Sequence, residues 1–218
     1  IFMSRGNDVF KLKGGNTRET FFGVTQPFLL PADSGVRYYD NEALTRGHLL
    51  TMLANAEWIA DKQLWQWSRR LDKDNKFDTL KPQHIPIPKA FEVIAEKQSE
   101  PTEQEVADAI NVQFDNVLQR WPTDKELKEY LTLFQSLLKQ SQILSKEEAN
   151  AIALRKVLVS VLLETEFLYR LEFGAGEEDA YGRKKLSPRE ASYAISYALS
   201  DLAPDEQLRQ AVEEGRLL

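Results

Sequence analysis

Four times from Thr102 onward the chain repeats one short pattern, a hydroxyl residue followed three positions later by glutamate: Thr102-x-x-Glu105, Thr123-x-x-Glu126, Ser145-x-x-Glu148 and Ser187-x-x-Glu190. At a helix start the hydroxyl accepts a first-turn N–H while the carboxylate reaches back to the backbone, so each pattern predicts a helix N-terminus. The apolar spacing agrees. Val106, Ile110, Phe114, Val117 and Trp121 recur at helical intervals after the first, and Leu127, Tyr130, Leu131, Phe134, Leu137 and Leu138 after the second. After the third, the residues from about Lys146 to Phe173 are expected to form one long helix with Gly174 as its stop, apolar over most of its circumference between Ile152 and Leu163. A helix of that kind has to be covered by the others. Pro188 suits the first position of the fourth helix, and a last helix is expected from about Pro204 to Glu214, stopped by Gly215.

Upstream the signals are looser. Gly14-Gly15 between two apolar stretches allows a short hairpin within a Gly- and aromatic-rich N-terminal arm. Asp40 or Asn41 can cap a helix running to about Leu71, with Leu49, Met52, Leu53, Ala56, Ala60, Leu64, Trp67 and Leu71 as its core face. Residues Asp72 to Pro101 hold four prolines and one short amphipathic piece near Lys89 to Lys97, the composition of a connector. The expected fold is all-α, an irregular helical bundle around one central helix, divided as 1–101 (arm, long helix, connector) and 102–218 (helical module).

Lys+Arg 28 against Asp+Glu 34 gives a net charge of −6, which lacks the basic footprint that captures phosphate backbones, so no nucleic-acid partner is expected. Cys 0 removes disulfides, thiolate metal sites and covalent haem attachment within the chain. The richest apolar run, Ala149 to Leu163, is broken by Asn150, Arg155, Lys156 and Ser160, so no membrane span is expected.

Several residues invite a chemical reading. Asp72-Lys-Asp-Asn-Lys-Phe-Asp78 resembles the start of a calcium loop, but Lys76, Phe77 and Gln83 stand where an oxygen ligand, glycine and glutamate belong. His48 and His84 are the only histidines, and neither has a companion ligand at helical spacing, so no metal-ligating and no catalytic residue is expected from motifs. Glu164, Glu166 and Glu172 could supply a glycosidase pair, although Glu166 and Arg170 also stand in the favourable order for a helical ion pair. Trp58 and Trp65 share a face roughly opposite the core stripe of their helix. They are read either as a partner or sugar-binding surface or as aromatics covered by the N-terminal arm. Arg183-Lys184-Lys185 reads as a solvated loop, and Tyr193 with Tyr197 as core-edge packing.

Phe167-Leu168-Tyr169-Arg170-Leu171-Glu172, Leu186-Ser187-Pro188-Arg189-Glu190, Ile195-Ser196-Tyr197 and Pro204-Asp205-Glu206 resemble the planctomycete cytochrome c-associated domains of unknown function. The likeness covers about Thr102 to Leu218, and the family motif continues beyond Leu218. It implies a large exported, periplasmic or otherwise extracytoplasmic protein with a haem c domain elsewhere in the polypeptide and no cofactor in this part. It assigns no catalytic residue. The function expected is a non-catalytic structural or interaction module whose partners are other domains of the same polypeptide, a protein or a polysaccharide. The alternative is a carbohydrate-active enzyme domain using Glu164, Glu166 or Glu172 with a Trp58/Trp65 sugar platform.

Overall fold

The computed structural model describes residues 46–64, 87–141, 143–169, 171–200 and 203–217. Among these, eight helices follow one another: α1 (Arg46–Gln63), α2 (Lys89–Ala95), α3 (Glu103–Leu118), α4 (Asp124–Gln140), α5 (Lys146–Leu162), α6 (Thr165–Leu168), α7 (Pro188–Ser200) and α8 (Glu206–Glu213). An antiparallel bridge, Ala175 to Lys185, closes the loop before α7. The fold is all-α. The expected N-terminal hairpin, the cap of α1, Trp65, Trp67, Leu71, the 72–78 loop, His84, Arg170 and the side chain of His48 lie outside the described residues.

All four capping boxes form. Thr102, Thr123 and Ser145 accept the N–H of Glu105, Glu126 and Glu148, which return their carboxylates to the cap N–H. The Ser187 hydroxyl accepts from the Glu190 N–H at 3.2 Å while the Ser187 N–H donates to Glu190 at 2.8 Å. Gly215 (φ 65) ends α8 in the left-handed region, with the Gly215 and Arg216 N–H groups donating back to Val212 and Ala211.

Helix α5 is central, touching α1, α2, α3 and α4. Ala149, Ala151, Ala153, Leu154, Val157, Leu158, Val161 and Leu162 are all buried, so the helix has almost no wet side. Helix α2 buries Phe91 and Ile94 between α3 and α5, so this piece of the expected connector is core. One apolar cluster runs from Ala56 to Leu168 and passes through residues on both sides of position 101.

Three expectations need correction. First, the helix beginning at Lys146 does not run to Phe173. It stops at Leu162, Glu164 turns extended (φ −60, ψ 142), and only the single turn of α6 follows. The bend lets Phe167 and Leu168 bury while the Glu164 carboxylate accepts the Tyr130 hydroxyl, a combination a straight helix would not provide. Gly174 is accordingly not a helix stop. It sits in the loop at φ 72, where an added Cβ would lie 2.6 Å from the Lys184 Cβ.

Second, the buried arc of α1 is rotated from the predicted stripe. Leu49 and Leu53 are exposed, whereas Asn55, Ile59, Lys62 and Gln63 join Ala56, Ala60 and Leu64 inside. Gln63 is held there by an amide pair with Gln113 (2.8 Å), which also donates to the Leu158 carbonyl (3.1 Å). Third, Trp121 is 69% exposed, because α3 ends at Leu118 and the apolar period no longer applies beyond it.

Asn150, fully buried on α5, donates to the Lys97 and Ser99 carbonyls at 2.9 and 2.8 Å and so pins the α2–α3 turn to the central helix. Replacing it with leucine strands both carbonyls. Asn150→Leu should therefore lower the unfolding free energy by about 1–3 kcal/mol in a urea titration, and an unchanged midpoint would refute this role.

Candidate functional site

The densest polar constellation among the described residues lies where α3 ends. Gln119 leaves the helix in the left-handed region (φ 54), and the next residue, Arg120, projects between α4 and α6. Its guanidinium donates to both oxygens of Glu126 (2.9 and 2.6 Å) and both oxygens of Glu166 (3.0 and 2.9 Å) and lies 5.3 Å over the Phe114 ring. Glu166 also accepts from Arg189 of α7 at 3.1 Å. Arg189 in turn donates to the Leu118 carbonyl and stacks 5.5 Å from the Tyr193 ring.

The electrostatics follow from these contacts. Its hydrogen bond to Glu126 holds Arg120 protonated more firmly than usual, and the same bond brings the Glu126 carboxyl down to about 2 from an ordinary 4.5. Burial, reinforced by the Glu164 carboxylate, pushes the Tyr130 phenol well above its usual range. The three carboxylates considered for acid–base work are not brought together by these contacts. Glu164 accepts from Tyr130, Glu166 bridges Arg120 and Arg189, and Glu172 sits exposed in the loop beyond α6. The ion pair expected between Glu166 and Arg170 lies outside the described residues, and α6 itself ends at Leu168.

Trp58 is half-buried and packs on the main core instead of standing out from the opposite face. The Lys62 ammonium lies 5.4 Å from its ring centroid. Lys62 is itself buried, and desolvation, partly opposed by Asp61, lowers its amine to about 8. Of the residues that carry the family resemblance, Phe167 and Leu168 are buried, Tyr169 is exposed, and Ser187, Pro188 and Glu190 form the start of α7. Ser196 is buried, and Tyr197 packs with its ring 6.0 Å from Tyr193.

Arg120, Arg189, Tyr130 and Glu126 were not singled out as a group from sequence. Each belongs to a different stretch, and no spacing rule links them. The only local hint was Arg120 next to Trp121-Pro122, where a helix boundary was foreseeable.

Apolar groups remain in solvent on the C-terminal side. Ile195, Ala198 and Leu199 share the outward side of α7, with Leu199 83% exposed. Phe173 (78%) and Tyr181 (82%) stand on the bridged loop, Tyr181 beneath the Arg183 guanidinium at 5.0 Å. Among the described residues no three or more His, Cys, Asp or Glu side chains are grouped as metal ligands. No described helix is long and apolar enough to cross a membrane.

Two titrations test this electrostatic picture. The folded-state pKa of Glu126 is depressed, so its stabilisation is present above about 4.5 and is lost as pH falls toward about 2. Glu126→Gln keeps a capping side chain but not the charge. It should unfold more easily than the parent at pH 7, and the two stability curves should converge in acid. Lys62 behaves oppositely, because its folded form releases the proton first and stability contributed at this site should rise between about 8 and 10.5. That rise should be missing from Lys62→Met when the two proteins are compared by denaturant unfolding across the alkaline range.

Compared with known proteins, the chain matches no family model, no curated protein and no solved structure.

Proposed function

We propose that this chain is a non-catalytic structural or interaction module of a larger extracytoplasmic protein, joined to its partners through the outward side of α7. The observation that carries this reading is the stripe of Ile195, Ala198 and Leu199, an exposed apolar face on an otherwise well-capped helix. The resemblance to planctomycete cytochrome c-associated domains supports the extracytoplasmic setting and makes adjoining domains, a haem c domain among them, the first partners to try. The rival reading, a carbohydrate-active enzyme, has less in its favour. Glu166 is bound by two guanidiniums, and Trp58 spends much of its ring on the core.

The experiment adds the domains encoded on either side of this chain as separate proteins and follows its thermal unfolding. A partner that binds only the folded module raises the melting temperature in proportion to its concentration. Ile195→Ser with Leu199→Ser should abolish that rise while leaving the melting temperature of the module alone unchanged. Hydrolysis of a polysaccharide that disappears in Glu164→Gln or Glu172→Gln at unchanged stability would overturn the proposal.

A further inference from the structure

The apolar core and the C-terminal helices are held by different forces. Among the described residues, the main buried cluster ends at Leu168, and the residues buried on α7 and α8 are Ala191, Ser192, Ser196 and Ala211. Alanine and serine remove little apolar surface from water, Ala203 and Pro204 between the helices add little more, and Tyr193, Tyr197, Leu208 and Val212 are only half-buried, so burial contributes less here than the fully buried phenylalanines and leucines of α2 to α6 do. The described ties across the joint are polar. Arg189 bonds Glu166 and the Leu118 carbonyl, and the Tyr193 hydroxyl donates to Gln119 at 3.2 Å. Gln119 donates to the Pro204 carbonyl at 3.3 Å, and Arg209 of α8 pairs with Asp115 of α3 at 2.9 Å. Helices α7 and α8 also pack on each other, which lets them move together.

We infer that α7 and α8 form a lobe latched to the bundle by the Arg189–Glu166 and Arg209–Asp115 ion pairs, and that screening those pairs undocks the lobe as a unit while the bundle stays folded. The ion-pair side chains are between 26% and 38% exposed, the regime in which salt weakens an interaction without eliminating it at ordinary ionic strength. The device stands whether or not the outward face of α7 docks a partner, because it rests on the inward face.

Hydrogen exchange read by mass spectrometry, on the whole chain at about 0.02 M and about 1 M salt, tests it. The α7 and α8 amides should exchange faster than those of α5 at low salt and accelerate together at high salt. Arg189→Gln and, separately, Arg209→Gln should each reproduce an acceleration of about two- to fivefold at low salt. Lys125→Gln, which touches only an exposed pair within α4, should leave exchange in the lobe unchanged. The latch is refuted if α7 and α8 exchange only with α5, if their rates ignore salt, or if both arginine variants accelerate α5 equally.

Discussion

Burial of α5 on nearly all sides is the constraint from which the remaining architecture follows. A helix with Leu154, Val157, Leu158, Val161 and Leu162 inside cannot be left facing water, since each such side chain returns roughly 1.5–3 kcal/mol when covered. Its alanines Ala149, Ala151 and Ala153 keep the surface low enough for neighbouring helices to come close. Two of its polar residues bond to neighbouring elements. Asn150 fixes the α2–α3 turn, and Arg155 reaches across to Asp61 and Glu57 on α1. The helix thus orders its surroundings by burial where it is apolar and by directed bonds where it is not.

Capping carboxylates are the second organising element, because a glutamate that closes a capping box still has acceptor capacity to spare. Three of the four boxes use it. Glu105 also binds Lys97 at 2.6 Å, Glu126 binds Arg120 at 2.6 Å, and Glu190 accepts from the Phe173 and Gly174 N–H groups at 2.9 and 3.2 Å. In each case the helix start is tied to the segment that precedes it. Those bonds hold the three carboxyls below their ordinary values, led by Lys97 for Glu105, Arg120 for Glu126 and the Ser187 backbone for Glu190.

This explains which parts of the fold were legible in the sequence. Helix starts were, since a hydroxyl and a glutamate three residues apart act within one turn, and α3, α4, α5 and α7 begin where the boxes place them. The end of α5 was not. The apolar residues on either side of Glu164-Thr165-Glu166 can be buried by a straight helix or by a bent chain, and the choice falls to Tyr130 on α4 and Arg120 just beyond α3. The face of α1 was misjudged for a related reason, because Gln63 is made acceptable inside only by Gln113 on α3. Of the candidate site, the Trp58 surface reading rested on helical spacing alone, whereas its packing depends on what α1 meets.

The charged joint resolves a difficulty that the helix end itself creates. The last carbonyls of α3 have no partner within the helix, and Gln119 enters the left-handed region at a cost of about 1–2 kcal/mol for a residue with a Cβ. That conformation is retained where its consequences are used. The Leu118 carbonyl is turned toward Arg189 and the Tyr193 hydroxyl, and the Gln119 amide is set between Tyr193 and the Pro204 carbonyl. Arg189 therefore acts as the C-terminal cap of α3 from a distant helix, placing a cation where the macrodipole favours one. The strain at Gln119 and the docking of α7 support each other. The main apolar cluster ends at Leu168 where this polar joint begins, so the end of α3, together with Glu166 on α6, offers the C-terminal helices their directed bonds.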